Sequence, residues 1–184
     1  NEAAQAPHRQ HHRGPAGIKE VYKNPWLIFT TFFGAGCLTP GPGTWGSFAA
    51  WLAFLILEPL GGRGLMWILT ILCFIVGVIA IPKCEAVLKK MDHGSIVIDE
   101  VVAVWFVLLL CPTGLFWQLA GVLVFRFFDI VKLSPAAGLD NGPQSGWTVM
   151  IDDVFAALYT LLVVNGVAWL LVYFLNAELM WKVF

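Results

Sequence analysis

The chain has 184 residues, 59% of them hydrophobic and 12% charged, with a net charge of −1 and a mean hydropathy of +0.77. Soluble domains run at about half apolar and a quarter charged, so this balance excludes soluble, disordered and disulfide-scaffold classes and predicts an integral membrane protein. With neither a global positive field nor a basic patch, nucleic acid is not expected as a partner.

Residues 1–25 read as a polar cytoplasmic tail, in which the clustered His8, His11 and His12 suit a solvated run better than a metal site. Residues 26–184 read as one all-α polytopic membrane domain. The apolar stretch Trp26 to Leu38 is too short to cross, so it is expected to lie in the interface or to re-enter. About five transmembrane helices follow: Thr44 to Leu60, Leu65 to Pro82, Ser95 to Cys111, Leu115 to about Lys132, and Val149 to about Leu175. Turn residues mark the connections at Glu58 to Gly64, Cys111 to Gly114 and Ser134 to Gly146. The four cysteines, Cys37, Cys73, Cys84 and Cys111, form no C-x-x-C pair and are expected to act as small apolar residues.

With five crossings, the tail, the Lys83 to Gly94 connection and the Ser134 to Gly146 loop share one side. That side collects Arg9, Arg13, Lys19, Lys23, Lys83, Lys89, Lys90, Arg126 and Lys132, leaving Arg63 and Lys182 for the other. The positive-inside rule makes it cytoplasmic and places the C-terminal end outside.

Seven charges interrupt otherwise apolar helices on that side. Asp99 and Glu100 open the third span, Arg126, Asp129 and Lys132 close the fourth, and Asp152 and Asp153 open the fifth. Successive helices run antiparallel, so all seven converge on one leaflet. One pair of first-turn acids would simply complement a helix dipole. Five acids with two bases, each costly in hydrocarbon unless paired, hydrated or bound to a cation, point to a functional site. An all-carboxylate set suits a hard, oxygen-ligated cation better than zinc. His93, just before the acidic helix, reads as a loop hydrogen-bonding residue with a supporting or proton-shuttle role as the alternative. In Thr39-Pro40-Gly41-Pro42-Gly43-Thr44-Trp45-Gly46-Ser47, free backbone N–H groups and the Thr44 and Ser47 hydroxyls offer an anion site at the same leaflet, although the same residues also make an ordinary tight turn and N-cap.

Together, Asn24-Pro25-Trp26, Pro42 to Ser47, Asp92-His93-Gly94-Ser95-Ile96-Val97-Ile98-Asp99-Glu100, Phe125 to Lys132 and Met150-Ile151-Asp152-Asp153 resemble the phosphatidylglycerophosphatase A family, bacterial membrane phosphatases. The resemblance implies a Mg²⁺-dependent enzyme of the bacterial inner membrane, its site facing the cytoplasm, that dephosphorylates phosphatidylglycerophosphate on the way to phosphatidylglycerol. On that expectation Asp99, Glu100, Asp129, Asp152 and Asp153 are the catalytic and metal-holding acids. Arg126, Lys132, Gly43, Thr44 and Ser47 would bind the substrate phosphate, with His93 behind them. The rival from another class is a divalent-cation transporter or channel; against it, the acids lie at one leaflet rather than the midplane.

Overall fold

A computed structural model of the chain describes residues 18–38, 41–88, 95–131 and 146–175, and the regular structure among them is entirely helical. The short helices α1 (Ile18–Val21) and α2 (Pro25–Thr30) precede a 3-10 turn at Ala35–Cys37. The long elements are α3 (Pro42–Leu88), α4 (Ile98–Leu110), α5 (Leu115–Val131) and α6 (Gly146–Leu175). The expectations placed on His8, His11, His12, His93 and Lys132 fall outside the described residues.

The expected turn at 58–64 is sharper than the sequence suggests. Helical backbone runs through Pro59 and breaks at Gly62, whose φ of 75° and ψ of 178° only glycine adopts freely. The two limbs, 42–61 and 63–88, are about 30 and 39 Å long at 1.5 Å per residue. Two stretches are long and apolar enough to cross a membrane, Pro42–Cys84 and Gly146–Leu175. Their large apolar residues face outward: Leu52, Ile56, Ile68 and Ile75 on α3, and Leu162 and Trp169 on α6, are exposed. Such a belt suits lipid and not water.

α4 has the opposite character. It is apolar all round after its first turn, which destines a helix for the interior, and it packs against α3, α5 and α6 with Val101 to Trp105 and Val107 to Leu109 buried. Side-chain hydrogen bonds between helices bind the bundle together. Trp105 Nε1 donates to the Ala50 carbonyl at 2.8 Å, and Trp51 Nε1 donates to Gln118 Oε1 at 2.9 Å. The last carbonyls of α4 lack helical partners, as at every helix end, and they are capped from outside. Arg63 donates to the Leu109 carbonyl, and Asn165 Nδ2 donates to the Leu110 carbonyl at 3.2 Å.

The N-terminal segment turns back and does not run the length of the bundle. Asn24 caps α2, its side chain accepting from Trp26 N–H at 3.0 Å, and Pro25 supplies the preset first-turn φ. After Thr31 the backbone reverses through Phe32, Phe33 and Gly34, all with positive φ. The Thr31 hydroxyl clamps this turn, donating to the Leu27 carbonyl at 2.6 Å and accepting from Gly34 N–H at 3.2 Å. Trp26 lies under the Lys83 ammonium, 4.6 Å from its ring centre. Val97 N–H donates to the Thr30 carbonyl at 2.8 Å, and Gly36 presses against the Ser95 carbonyl. Both ends of the segment thus stay at the end of the bundle where α4 begins.

Candidate active site

Three helix ends meet where α4 starts. The first turn of α4 supplies Asp99 and Glu100, and the tight Cys111 to Gly114 connection reverses the chain so that α5 returns with Arg126 and Asp129 in its last turns. The first turns of α6 add Asp152 and Asp153. Arg126 and Asp129 stand three apart, which puts both on one helical face.

Carboxylate oxygens of Glu100, Asp129 and Asp153 lie within 4.8 Å of one another. The Asp99 carboxyl lies beside that of Asp153. The cluster is recessed: Asp153 is 4% exposed, and the side chains of Glu100 and Asp129 are 13% and 12% exposed. Arg126 spans two acids, with Nη1 3.3 Å from Glu100 Oε1 and paired also to Asp129 Oδ2. Asp152 is half-buried beside the cluster and is not one of its three converging acids.

Glycine at position 43 is required by this packing. A Cβ there would stand 2.7 Å from Glu100 Oε1 and 2.9 Å from Arg126 Nη1, so the start of α3 lies directly against the ion pair. Gly46 is equally tight, with a Cβ position 2.8 Å from Val97 Cβ. The turn expected to bind an anion is therefore beside the acids. Thr44 is exposed there, whereas the Ser47 hydroxyl is buried and donates to the Gly43 carbonyl at 2.9 Å.

Several buried polar atoms of the cluster have no hydrogen-bond partner: Asp99 Oδ1, Glu100 Oε2, Asp153 Oδ2 and Arg126 Nε. Buried polar atoms in native proteins are almost always satisfied. Acids packed this closely repel unless a proton or a cation sits among them. The donor set is all oxygen with excess negative charge, which fits a hard divalent cation. Sequence reasoning missed the route by which α2 fixes this region, the Thr30 to Val97 backbone bond. Nothing in the local pattern around Thr30 signals a bond formed across 67 residues of chain.

A membrane helix bundle closed around a recessed carboxylate cluster with a guanidinium at its edge is the class of protein that this fold and site define. The chain belongs to the phosphatidylglycerophosphatase A family, whose family model matches residues 28–168. It is 43% identical over 151 residues to the phosphatidylglycerophosphatase A of Haemophilus influenzae, covering 80% of this chain and 92% of that one. It is 35% identical over 152 residues to the phosphatidylglycerophosphatase A of Escherichia coli, covering 80% of this chain and 86% of that protein. No solved structure matches it significantly.

Proposed function

We propose that the chain hydrolyses the terminal phosphomonoester of phosphatidylglycerophosphate, giving phosphatidylglycerol and inorganic phosphate. The observation that carries this reading is the convergence of Glu100, Asp129 and Asp153 within 4.8 Å, in a chain that is 43% and 35% identical to two curated proteins bearing the name of that phosphatase. Mg²⁺ held by these acids, with Asp99 and Asp152 beside them, would supply charge neutralisation and Lewis-acid polarisation of the phosphoryl group.

The remaining roles fall to the chain itself. Arg126 is fixed by two carboxylates through Nη1, which leaves its Nε–H as a buried donor for a phosphoryl oxygen. Gly43, lacking a Cβ, lets the start of α3 close against the Glu100–Arg126 pair, which brings the turn that carries Thr44 and Ser47 beside the phosphate. Lys132 follows the last residue of α5 and adds a point charge that draws the dianion in. Asp99 Oδ1 takes the proton from the attacking water as the new P–O bond forms. The bond to the glycerol oxygen breaks, and that oxygen receives a proton as phosphatidylglycerol leaves. His93 supports this exchange from the preceding connection.

The topology in this reading has five crossings, by the limbs 42–61 and 63–88 of α3 and by α4, α5 and α6. The acid end faces the cytoplasm of a bacterium, from the inner membrane, because the Lys and Arg residues gather there. α4 rises only about 20 Å against a hydrocarbon layer of about 30 Å, which accounts for acids recessed below the surface. Phosphate release by the purified protein in detergent tests the substrate. Phosphatidylglycerophosphate is expected to be turned over at least tenfold faster than phosphatidic acid, whose phosphate lacks the terminal glycerol. An equal or reversed preference would overturn the headgroup assignment.

A further inference from the structure

Below the acid cluster a cleft of about 240 Å³ opens between the 63–88 limb of α3, α4 and α6. Two of its lining residues, Val102 and Phe106, follow Asp99 at three and seven positions, so they continue the same stripe of α4 away from the carboxylates. A third, Val154, is the residue after Asp153. Trp67 and Phe74 of α3 stand opposite. The edge-on pair of Trp67 and Phe106, 6.2 Å between centroids, bounds the far end, and Phe74 against Trp147 at 5.7 Å flanks the near one.

The lining is apolar apart from Thr70, whose hydroxyl is already committed to the Met66 carbonyl at 2.7 Å. Close-packed interiors do not leave a space of this size, and an apolar cavity does not hold water. Its natural occupant is hydrocarbon. Ile71 lines the cleft and is 55% exposed, so the space opens to the lipid-facing side of the bundle.

We infer that this cleft receives an acyl chain of the lipid substrate, running from the acid cluster along α4 between α3 and α6. The inference rests on the acid end being the site for a phosphorylated glycerolipid. A lipid whose terminal phosphate sits among the carboxylates carries its acylated glycerol beyond one further glycerol and a phosphodiester, a flexible linker long enough to set the acyl esters over the cleft, which begins at Val102 and Val154. From Phe74 to Trp67 the wall is about 10 Å long, and the chain that fills it adds binding energy at a distance from the reacting phosphorus. A free headgroup would lack that energy.

The experiment compares phosphate release from dioleoyl phosphatidylglycerophosphate and from its fully deacylated headgroup, in the same detergent. Ile71→Trp fills the mouth of the cleft, Ile71→Phe fills it less, and Leu123→Trp places the same bulk on the lipid-facing side of α5 as a control. The expected result is a roughly tenfold fall in the preference for the acylated substrate with Ile71→Trp, equivalent to about 1.4 kcal/mol. A smaller fall is expected with Ile71→Phe and none with Leu123→Trp. That size corresponds to the displacement of about two methylenes. If Ile71→Trp and Leu123→Trp change the preference alike, or neither does, the chains rest in bulk detergent or bilayer and the cleft has no such role. If the wild-type protein releases no phosphate from either compound, the headgroup reading fails and this inference falls with it.

Discussion

The two ends of the bundle both carry charge inside an apolar helix protein, and they handle it in opposite ways. At the end where α4 finishes, Arg63 lies 3.6 Å from Glu58 and caps the Leu109 carbonyl, while Asn165 divides its amide between the carbonyls of Leu110 and Leu161. Arg63, Glu58 and Asn165 each have a partner that accounts for their presence. At the end where α4 begins, Arg126 is set against Asp99, Glu100, Asp129, Asp152 and Asp153. The buried side-chain atoms left without a partner among the described residues all belong to that end. The same cost of burying polar groups is offset locally at one end and left open at the other. An unbalanced charge is the mark of a site, and a balanced one the mark of a joint.

Substitutions at the two ends should therefore separate activity from stability. The largest effect is expected from Asp153→Asn, which removes a carboxylate that has no arginine partner. Phosphate release should fall about 100- to 1000-fold. Melting in excess chelator should rise by about 2–4 °C, because one like charge is gone from a crowded cluster. A lower melting temperature together with retained turnover would make Asp153 a structural residue. Next comes Gly43→Ala, which pushes a methyl group into the Glu100–Arg126 pair. Displacing these groups by a fraction of an ångström to an ångström should cost about 100-fold in turnover, measured at saturating lipid.

Smaller and more specific is Arg126→Lys. It keeps the charge and an ion pair with Asp129 but loses the planar fork, so turnover should fall about tenfold with little change in melting temperature. Unchanged kinetics with reduced stability would mean that the arginine merely neutralises its neighbours. At the opposite end, Asn165→Leu should leave turnover unchanged while destabilising by about 1 kcal/mol through the lost cap on α4, read as a fall of about 2–4 °C in melting temperature. A turnover defect there would blur the distinction between the two ends.

Much of the site was legible because charges in apolar helices stand out. Asp99 and Glu100, Asp129 and Asp153 come together because successive antiparallel helices must return to the same level. That consequence needs only chain order. The glycine-rich stretch at Gly43 was legible as a turn near the acids. Its actual constraint, the absence of room for a Cβ beside Glu100 and Arg126, belongs to packing and has no local signature. The same holds for Ser47, whose hydroxyl could be read as an anion donor but is bonded back to Gly43. The break at Gly62 reads in the sequence only as a broad turn, since Pro59 and three nearby glycines signal flexibility without saying which residue takes the positive φ. The acyl cleft was invisible beforehand, because Val102, Phe106 and Ile71 look like any other residues of membrane helices. Only their position beneath Asp99 and Asp153 gives them a different meaning.

The central claim is that the open charge at the start of α4 is completed by a divalent cation that phosphate release requires. The direct measurement is a Mg²⁺ titration of phosphate release from phosphatidylglycerophosphate, using purified protein stripped with chelator, with Asp153→Asn run in parallel. The account predicts negligible release in chelator, saturable recovery as Mg²⁺ is added, and little recovery in the variant over the same range. Full release by the wild-type protein in excess chelator would contradict it.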